Sequence, residues 1–178
     1  HCISSAASDV YKRQVFERWL ETRYLTGKSA EGFKRSPGFV ADTLEMAGRW
    51  SDLPGIYADV VAAINAVPGT LAGSAHQSHA YVDGACLYFS LRGEVEVERR
   101  AQWYRAAWDA ANAVLIKYNA ALSHHHGVGL LRAPYMQESL GGAFDVLRTI
   151  KRTLDPQNIL NPGKLGLSDA RFYDQEDR

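Results

Sequence analysis

Apolar positions along the chain recur with two different periods, and the alternation between them predicts the elements. From Val15 to Leu25, Phe16, Trp19, Leu20 and Tyr24 fall near helical spacing, which predicts an amphipathic packing helix ended by Gly27. Gly38 to Met46 mixes Phe39, Val40, Thr43 and Leu44 with Asp42 and Glu45 and predicts a strand. Its acidic side chains either line a site or, as the preferred alternative, face solvent. Ser51 is placed to cap a helix with Asp52 and Pro54 in its first turn, because Leu53, Ile56, Val60, Val61 and Ile64 repeat at helical intervals. Val67-Pro68-Gly69 ends it. Thr70–Ala80 and Ala85–Leu91, joined through Asp83-Gly84, predict an antiparallel hairpin. The longest helix is expected over Glu94–Ala121, with Glu94, Glu96 and Glu98 near its positive end and Trp103, Ala107, Ala110, Val114 and Tyr118 as its core stripe. A last helix is expected over Gln137–Leu154, stopped by Asp155-Pro156 and followed by a turn-rich segment, Asn158–Leu165. The fold class that results is α+β, an antiparallel sheet with helices packed on one face.

Composition narrows the picture to one domain without selecting a chemistry. The chain has 178 residues, 46% of them hydrophobic, which suits one sizeable core. Twenty basic and twenty acidic residues give zero formal net charge, so no nucleic-acid surface is expected. Two cysteines, Cys2 and Cys86, do not make a disulfide scaffold. No apolar run approaches the roughly 20 residues that span a bilayer, and no signal peptide is recognisable, so a soluble, cytoplasmic protein is expected. Residues 1–14 read like translated sequencing-adapter sequence and are set aside from the fold; residues 15–165 form the expected domain and 166–178 a polar tail. The start at His1 reads as a fragment of a longer protein. Neither a GxGxxG nor a GxxxxGK element is present, so a nucleotide cofactor would have its main binding fold elsewhere.

Candidate chemistry concentrates in Ser123-His124-His125-His126-Gly127-Val128-Gly129, which holds three of the six histidines. Adjacent imidazoles offer donors, acceptors and a charge that titrates near neutrality, and the glycines allow a sharp turn or a close approach. Consecutive residues cannot all face one ion, so no closed metal site is expected of these three. His76 and His79 are expected on opposite faces of a strand, a poor chelating pair. Arg132, just beyond the glycines, is either a bidentate phosphate ligand or simply exposed.

Three segments in this order, Tyr81-Val82-Asp83-Gly84-Ala85-Cys86-Leu87-Tyr88-Phe89, then Leu122 to Gly129, then Ile150-Lys151 through Leu154-Asp155-Pro156-Gln157-Asn158-Ile159-Leu160-Asn161-Pro162-Gly163-Lys164-Leu165, resemble the C-terminal half of FAD-linked oxidases of the vanillyl-alcohol oxidase type. Within them the first two segments, Tyr81 to Phe89 and, more specifically, the Ser-His-His-His-Gly-Val-Gly run, and more loosely Asp42-Thr43-Leu44-Glu45 with Trp50, are similar to the alkyldihydroxyacetonephosphate synthase group. The resemblance implies a C-terminal cap domain whose N-terminal FAD-binding domain lies upstream. It implies FAD as cofactor and exchange of the acyl group of acyl-dihydroxyacetone phosphate for a fatty alcohol, the ether-lipid reaction. Peripheral membrane contact and a homodimer are compatible with such a lipid enzyme. In that reaction Tyr81 would take a proton from the carbon bearing the acyloxy group, while His124, His125 and His126 supply positive charge, hold the phosphate or ketone oxygen, and protonate the departing carboxylate. A phenol ordinarily near pKa 10 needs such charge beside it. Asn161 and Lys164 would close the cap against the flavin domain, with Asn161 the candidate cofactor contact.

The competing resemblance is to FAD-dependent dehydrogenases of 2-hydroxy acids such as D-lactate or glycolate, which carry Glu-His-Gly where this chain has His125-His126-Gly127. Those enzymes also hold a metal. Here His79 can fill one ligand position, but the next reads Cys86 or Leu87 and the carboxylate is absent, so that metal chemistry is expected to be disabled.

Overall fold

The computed structural model describes residues 13–22 and 36–167. The chain divides into two compact units, His1–Ser36 and Pro37–Arg178. In the first, residues 13–22 are helical, and the Phe16 and Trp19 rings stack at 5.9 Å. Val15, Phe16, Trp19 and Leu20 are exposed there instead of forming a packed stripe, and the expected end at Tyr24 and Gly27 lies outside the described residues.

The second unit carries the sheet. Its strands are β1 (Phe39–Arg49), β2 (Thr70–Ala80) and β3 (Gly84–Glu94), ordered β1-β3-β2 with both pairs antiparallel. The hairpin forms as expected, and its second strand takes the centre, which buries most of β3. Register then assigns the faces. Leu44 opposes Phe89 and Met46 opposes Leu87, while Glu45 opposes Tyr88 and Ala47 opposes Cys86. Because side chains alternate, the first group points to one face and the second to the other.

On the first face lie α1 (Leu53–Asn65) and α2 (Arg100–Lys117). Leu44, Met46, Phe89 and Leu91 meet Ile56, Val60 and Ile64 of α1 and Trp103, Ala107, Ala111 and Leu115 of α2, all buried. Gly93 is needed at this contact, since a Cβ there would sit 2.3 Å from the Trp103 indole. The remaining helices are short or peripheral: α3 (Gly129–Arg132), α4 (Met136–Leu140) and α5 (Gly142–Leu154). Among the described residues no helix is long and apolar enough to cross a membrane.

Several sequence expectations shift. β1 runs three residues past Met46, to Arg49, because its register with β3 continues as far as Gly84. Asp52, not Ser51, stands at the start of α1, and the Ser51 hydroxyl donates to the Asp52 carboxylate instead of capping. The long helix begins at Arg100, since Glu94 N–H donates to Gly69 O and Val95 N–H to Gly38 O, bonds that hold this stretch to its neighbours outside any helix. Its buried stripe passes through Trp108, Ala111 and Leu115, leaving Ala110, Val114 and Tyr118 half-buried. The last helix is broken at Gly141, whose φ of 51° and ψ of −131° end one helix before the next begins. Asp155 closes α5 as expected: its carboxylate accepts from the N–H groups of Ile159 and Leu160 and from Lys151. The charge and bonds of Lys151 hold that carboxyl below its usual range.

The position of Phe89 in the middle of the central strand makes it the side chain on which the two layers close. Phe89→Ala should cost about 3–5 kcal/mol of unfolding free energy, as large core truncations do. Val146→Ala, at a residue of α5 that is 60% exposed, should stay within about 0.5 kcal/mol. Urea denaturation of the two variants tests this, and equal losses would place the core elsewhere.

Candidate active site

The second sheet face is where the histidine loop lies. Beyond α2 the chain pairs briefly with the edge of β1, through Ala47 N–H to Ala121 O and Ala121 N–H to Ala47 O. Ser123–Gly127 then crosses above Glu45. This carboxylate, fully buried, accepts from the Ser123 hydroxyl at 2.8 Å, from His126 N–H at 2.9 Å and from His124 N–H. Burial by itself raises the Glu45 pKa. The bonds from His126, Ser123 and His124 and the charge of Arg132 outweigh that and hold the carboxyl below its ordinary value of 4.5.

Arg132 completes the fastening. Its Nε donates to Leu122 O at 2.6 Å, one terminal nitrogen to Gly127 O at 3.0 Å and the other to Glu45 O at 3.2 Å, with the second also 3.5 Å from the Glu45 carboxylate. Its guanidinium carbon stands 4.9 Å from the Trp108 ring centroid. The residue is 4% exposed. Neither alternative drawn from the sequence therefore describes it: Arg132 is not exposed, and its donors are directed to loop and strand carbonyls instead of outward to a phosphate. The preferred solvent-facing orientation of the strand acids is likewise overturned. Glu45 is the loop's anchor, and Asp42 accepts from the hydroxyl of Tyr104 and from Trp108 Nε1 on α2.

Because Glu45 takes backbone N–H groups, the imidazoles remain available. His124 Nε2 and the Tyr81 hydroxyl are 2.8 Å apart, and His126 Nε2 and the Tyr88 hydroxyl 3.2 Å. His124 Nδ1 and His125 Nδ1 approach to 2.9 Å. Tyr81 is held at its backbone, with its N–H on Gly84 O and its carbonyl accepting from Trp50 Nε1. The ring itself is half-exposed. The structure thus brings Tyr81, His124, His125 and His126 into one cluster. Asn161 stands in the closing turn instead, exposed at φ 47° with its carbonyl accepting from Lys164 N–H.

The cluster has members that sequence spacing did not supply. β2 slips register between Gln77 and Ala80 relative to β3, and this extra residue changes the phase of alternation. His76 stacks on Tyr88 at 5.3 Å, while His79 meets His124 at 4.9 Å and His125 at 5.3 Å. The two histidines expected on opposite faces therefore share one. Tyr88, two residues after Cys86 on β3, stacks with His125 and touches His126 edge-on. Alternation along β3 places Tyr88 on the same face as Cys86, and the β1–β3 register brings Glu45 opposite it.

The profile of the family described as "FAD linked oxidases, C-terminal domain" matches residues 2–165. The chain belongs to this family. It is 39% identical over 92 residues to an alkyldihydroxyacetonephosphate synthase of Dictyostelium discoideum, covering 51% of this chain and 15% of that protein. It is 35% identical over 82 residues to a glycolate oxidase subunit of Bacillus subtilis (strain 168), covering 46% and 17%. A solved alkyldihydroxyacetonephosphate synthase structure superposes with TM-score 0.53 at 23% identity, over 83% of this chain and 24% of that one, a likeness of fold. The chain spans about a sixth of the length of these curated relatives.

FAD is the cofactor of the family, and the described residues supply no glycine-rich cradle for its phosphates. No described helix of eight or more residues starts from a glycine-rich phosphate turn between strand and helix, whereas the imidazole cluster is open on its outer side, and a Cβ built at Gly127 or Gly129 meets nothing within 4 Å.

Glu45→Gln keeps the side chain's shape but turns an amide NH2 toward N–H donors beside Arg132. It should cost about 3–5 kcal/mol, the range for breaking a buried charge pair. Since folding lowers the Glu45 pKa, the carboxylate's contribution is complete above its unfolded value of 4.5 and is lost as pH falls through the lower folded value. Stability of the parent should therefore fall more steeply below that pH than stability of Glu45→Gln. Denaturation midpoints across the acid range decide, and parallel curves would remove Glu45 from the role of anchor.

Proposed function

We propose that this chain is the substrate-handling C-terminal domain of an FAD enzyme that exchanges the acyl group of acyl-dihydroxyacetone phosphate for a fatty alcohol, in the manner of alkyldihydroxyacetonephosphate synthases. The observation that carries the reading is the 2.8 Å approach of the Tyr81 hydroxyl to His124 Nε2, within an imidazole cluster hung from a buried carboxylate. In this reading the Tyr81 proton passes to His124 Nε2, and the phenolate oxygen removes the proton from the substrate carbon bearing the acyloxy group. The imidazolium so formed returns a proton to the departing carboxylate, and His125 with His126 stabilises negative charge on the ketone or phosphate oxygens. Bound FAD supplies an electron sink in a reaction with no net change of redox state. Arg132 and Glu45 position the loop and do not touch substrate.

A second reading, oxidation of a 2-hydroxy acid, is favoured by the likeness to the glycolate oxidase subunit. There the same imidazoles would take the hydroxyl proton. One experiment separates the two. The complete flavoprotein is mixed anaerobically with acyl-dihydroxyacetone phosphate and a fatty alcohol, or with D-2-hydroxy acids, while flavin absorbance and products are followed. Release of fatty acid with formation of the alkyl product and no electron acceptor supports the exchange. Bleaching by a hydroxy acid, reversed by an acceptor, supports the oxidation and overturns it. Tyr81→Phe, which removes one hydroxyl from a half-exposed ring, should lower turnover by about 10²–10⁴-fold, the usual contribution of a positioned acid or base, with the melting temperature unchanged. His125→Ala should abolish turnover while leaving flavin absorbance in place. Normal rates in either variant remove that residue from the mechanism.

A further inference from the structure

We propose that Thr43 is a positioning residue whose hydroxyl, by donating to the Tyr88 phenol oxygen, leaves the Tyr88 hydrogen for His126 Nε2 and fixes His126 as its Nδ1–H tautomer. Thr43 lies two residues before Glu45 on β1, so the two side chains share the sheet face beneath the histidine loop. Its Oγ1 is 3.2 Å from the Tyr88 hydroxyl, which in turn is 3.2 Å from His126 Nε2. The first two members of this chain are held in place. A β-branched side chain in a strand has few rotamers, and the Thr43 N–H donates to Asp42 Oδ1 at 2.8 Å. The other Asp42 oxygen accepts from Tyr104 and Trp108 of α2, which ties this point of the strand to the core. The Tyr88 ring stacks with His76 at 5.3 Å and with His125 at 5.9 Å. What stays free is the direction of its O–H.

The supply of hydrogens decides that direction. A phenol has one hydrogen to give, and a neutral imidazole has one N–H and one lone pair. With Thr43 donating to Tyr88 and Tyr88 to His126 Nε2, both hydroxyl hydrogens have acceptors, and the ring proton lies on Nδ1, 3.8 Å from the ionised Glu45 carboxylate. In the reverse direction Nε2–H points at Tyr88 and the Tyr88 hydrogen at Thr43. The Thr43 hydrogen then loses its acceptor, and the Nδ1 lone pair faces an anion. The first of these penalties belongs to Thr43 and the second to Glu45. Hydrogen bonds in a chain also polarise one another, so donation from Thr43 strengthens the bond from Tyr88 to the loop. The consequence for turnover rests on the reading of function given above, in which His126 stabilises negative charge on substrate oxygens. A fixed tautomer gives that imidazole one set of partners before substrate arrives.

The test reads the tautomer and needs no substrate. The complete flavoprotein is labelled with ¹⁵N-histidine, and long-range ¹H–¹⁵N spectra are taken at a pH of about 8.5, above the usual imidazole range. A His126→Gln sample identifies the His126 signals. The Nδ1–H form should dominate in the parent and in Thr43→Ser, which keeps a hydroxyl. Thr43→Val, which keeps the shape without it, should shift the ratio roughly fivefold toward Nε2–H, the worth of one neutral hydrogen bond. Thr43→Ala supplies a second hydroxyl-free variant if valine disturbs the melting curve. An unchanged ratio without the hydroxyl, or a shift in Thr43→Ser equal to that in Thr43→Val, overturns the proposal. In the exchange assay, turnover should fall without the hydroxyl and recover with serine. Absence of exchange even in the parent would remove the reading of function, while the spectra would still decide the role of Thr43.

Discussion

The arrangement of the site depends on one buried carboxylate and what it chooses to bind. Moving an ionised side chain out of water costs several kcal/mol unless its oxygens are fully satisfied. Glu45 meets that condition with a hydroxyl, two backbone N–H groups and a guanidinium, drawn from residues 78 to 87 positions further along the chain. The consequence for chemistry lies in the type of donor. Had the imidazoles themselves satisfied Glu45, they would be consumed as structural groups. Because the main chain satisfies it, with the ring nitrogens of His125 and His126 held back at 4.0 and 3.8 Å, three side chains are presented to solvent by a loop that cannot drift.

Arg132 makes the same economy from the opposite side. A guanidinium has five N–H donors and no acceptors, so it can brace several carbonyls at once. By reaching Leu122 O, Gly127 O and Glu45 O it spans both ends of the histidine run and the strand beneath. The sheet adds the division of labour. β3 is paired on both edges, so one face can hold the apolar contact with α1 and α2 while the other carries Cys86 and Tyr88 beneath the loop. Local rigidity at the site is thus inherited from the core on the reverse of the same strand.

The strands and the helix α1 were legible because their signals are local: a period, a turn, a run of β-compatible residues. Helix ends were less so. Glu94 looks like a helix opener by charge, but a ladder bond to Gly69 O decides its state, and that partner lies 25 residues away. The triple histidine and Tyr81 stood out by residue type and by resemblance, and the structure joins them. Glu45 and Arg132 were misjudged for a common reason. A charged residue reads as exposed unless its counter-charge is visible, and theirs is 87 residues distant. The face of His79 was misassigned for a different reason, since a one-residue bulge inverts every face assignment beyond it and leaves no compositional mark.

The geometry at His124 sets a condition on the proposed proton transfer. To accept the Tyr81 proton, His124 Nε2 has to be unprotonated, which would place the ring's single neutral-state proton on Nδ1, facing His125 Nδ1 at 2.9 Å. Under that proposal the tautomer of His124 is tied to the state of His125, because the short Nδ1 approach holds one proton between the two rings and leaves Nε2 turned to the Tyr81 hydroxyl. Glu45 bears on this only through the main chain it fixes, so a change at His125 would reach Tyr81 through His124 while the loop's fastening stayed as it is.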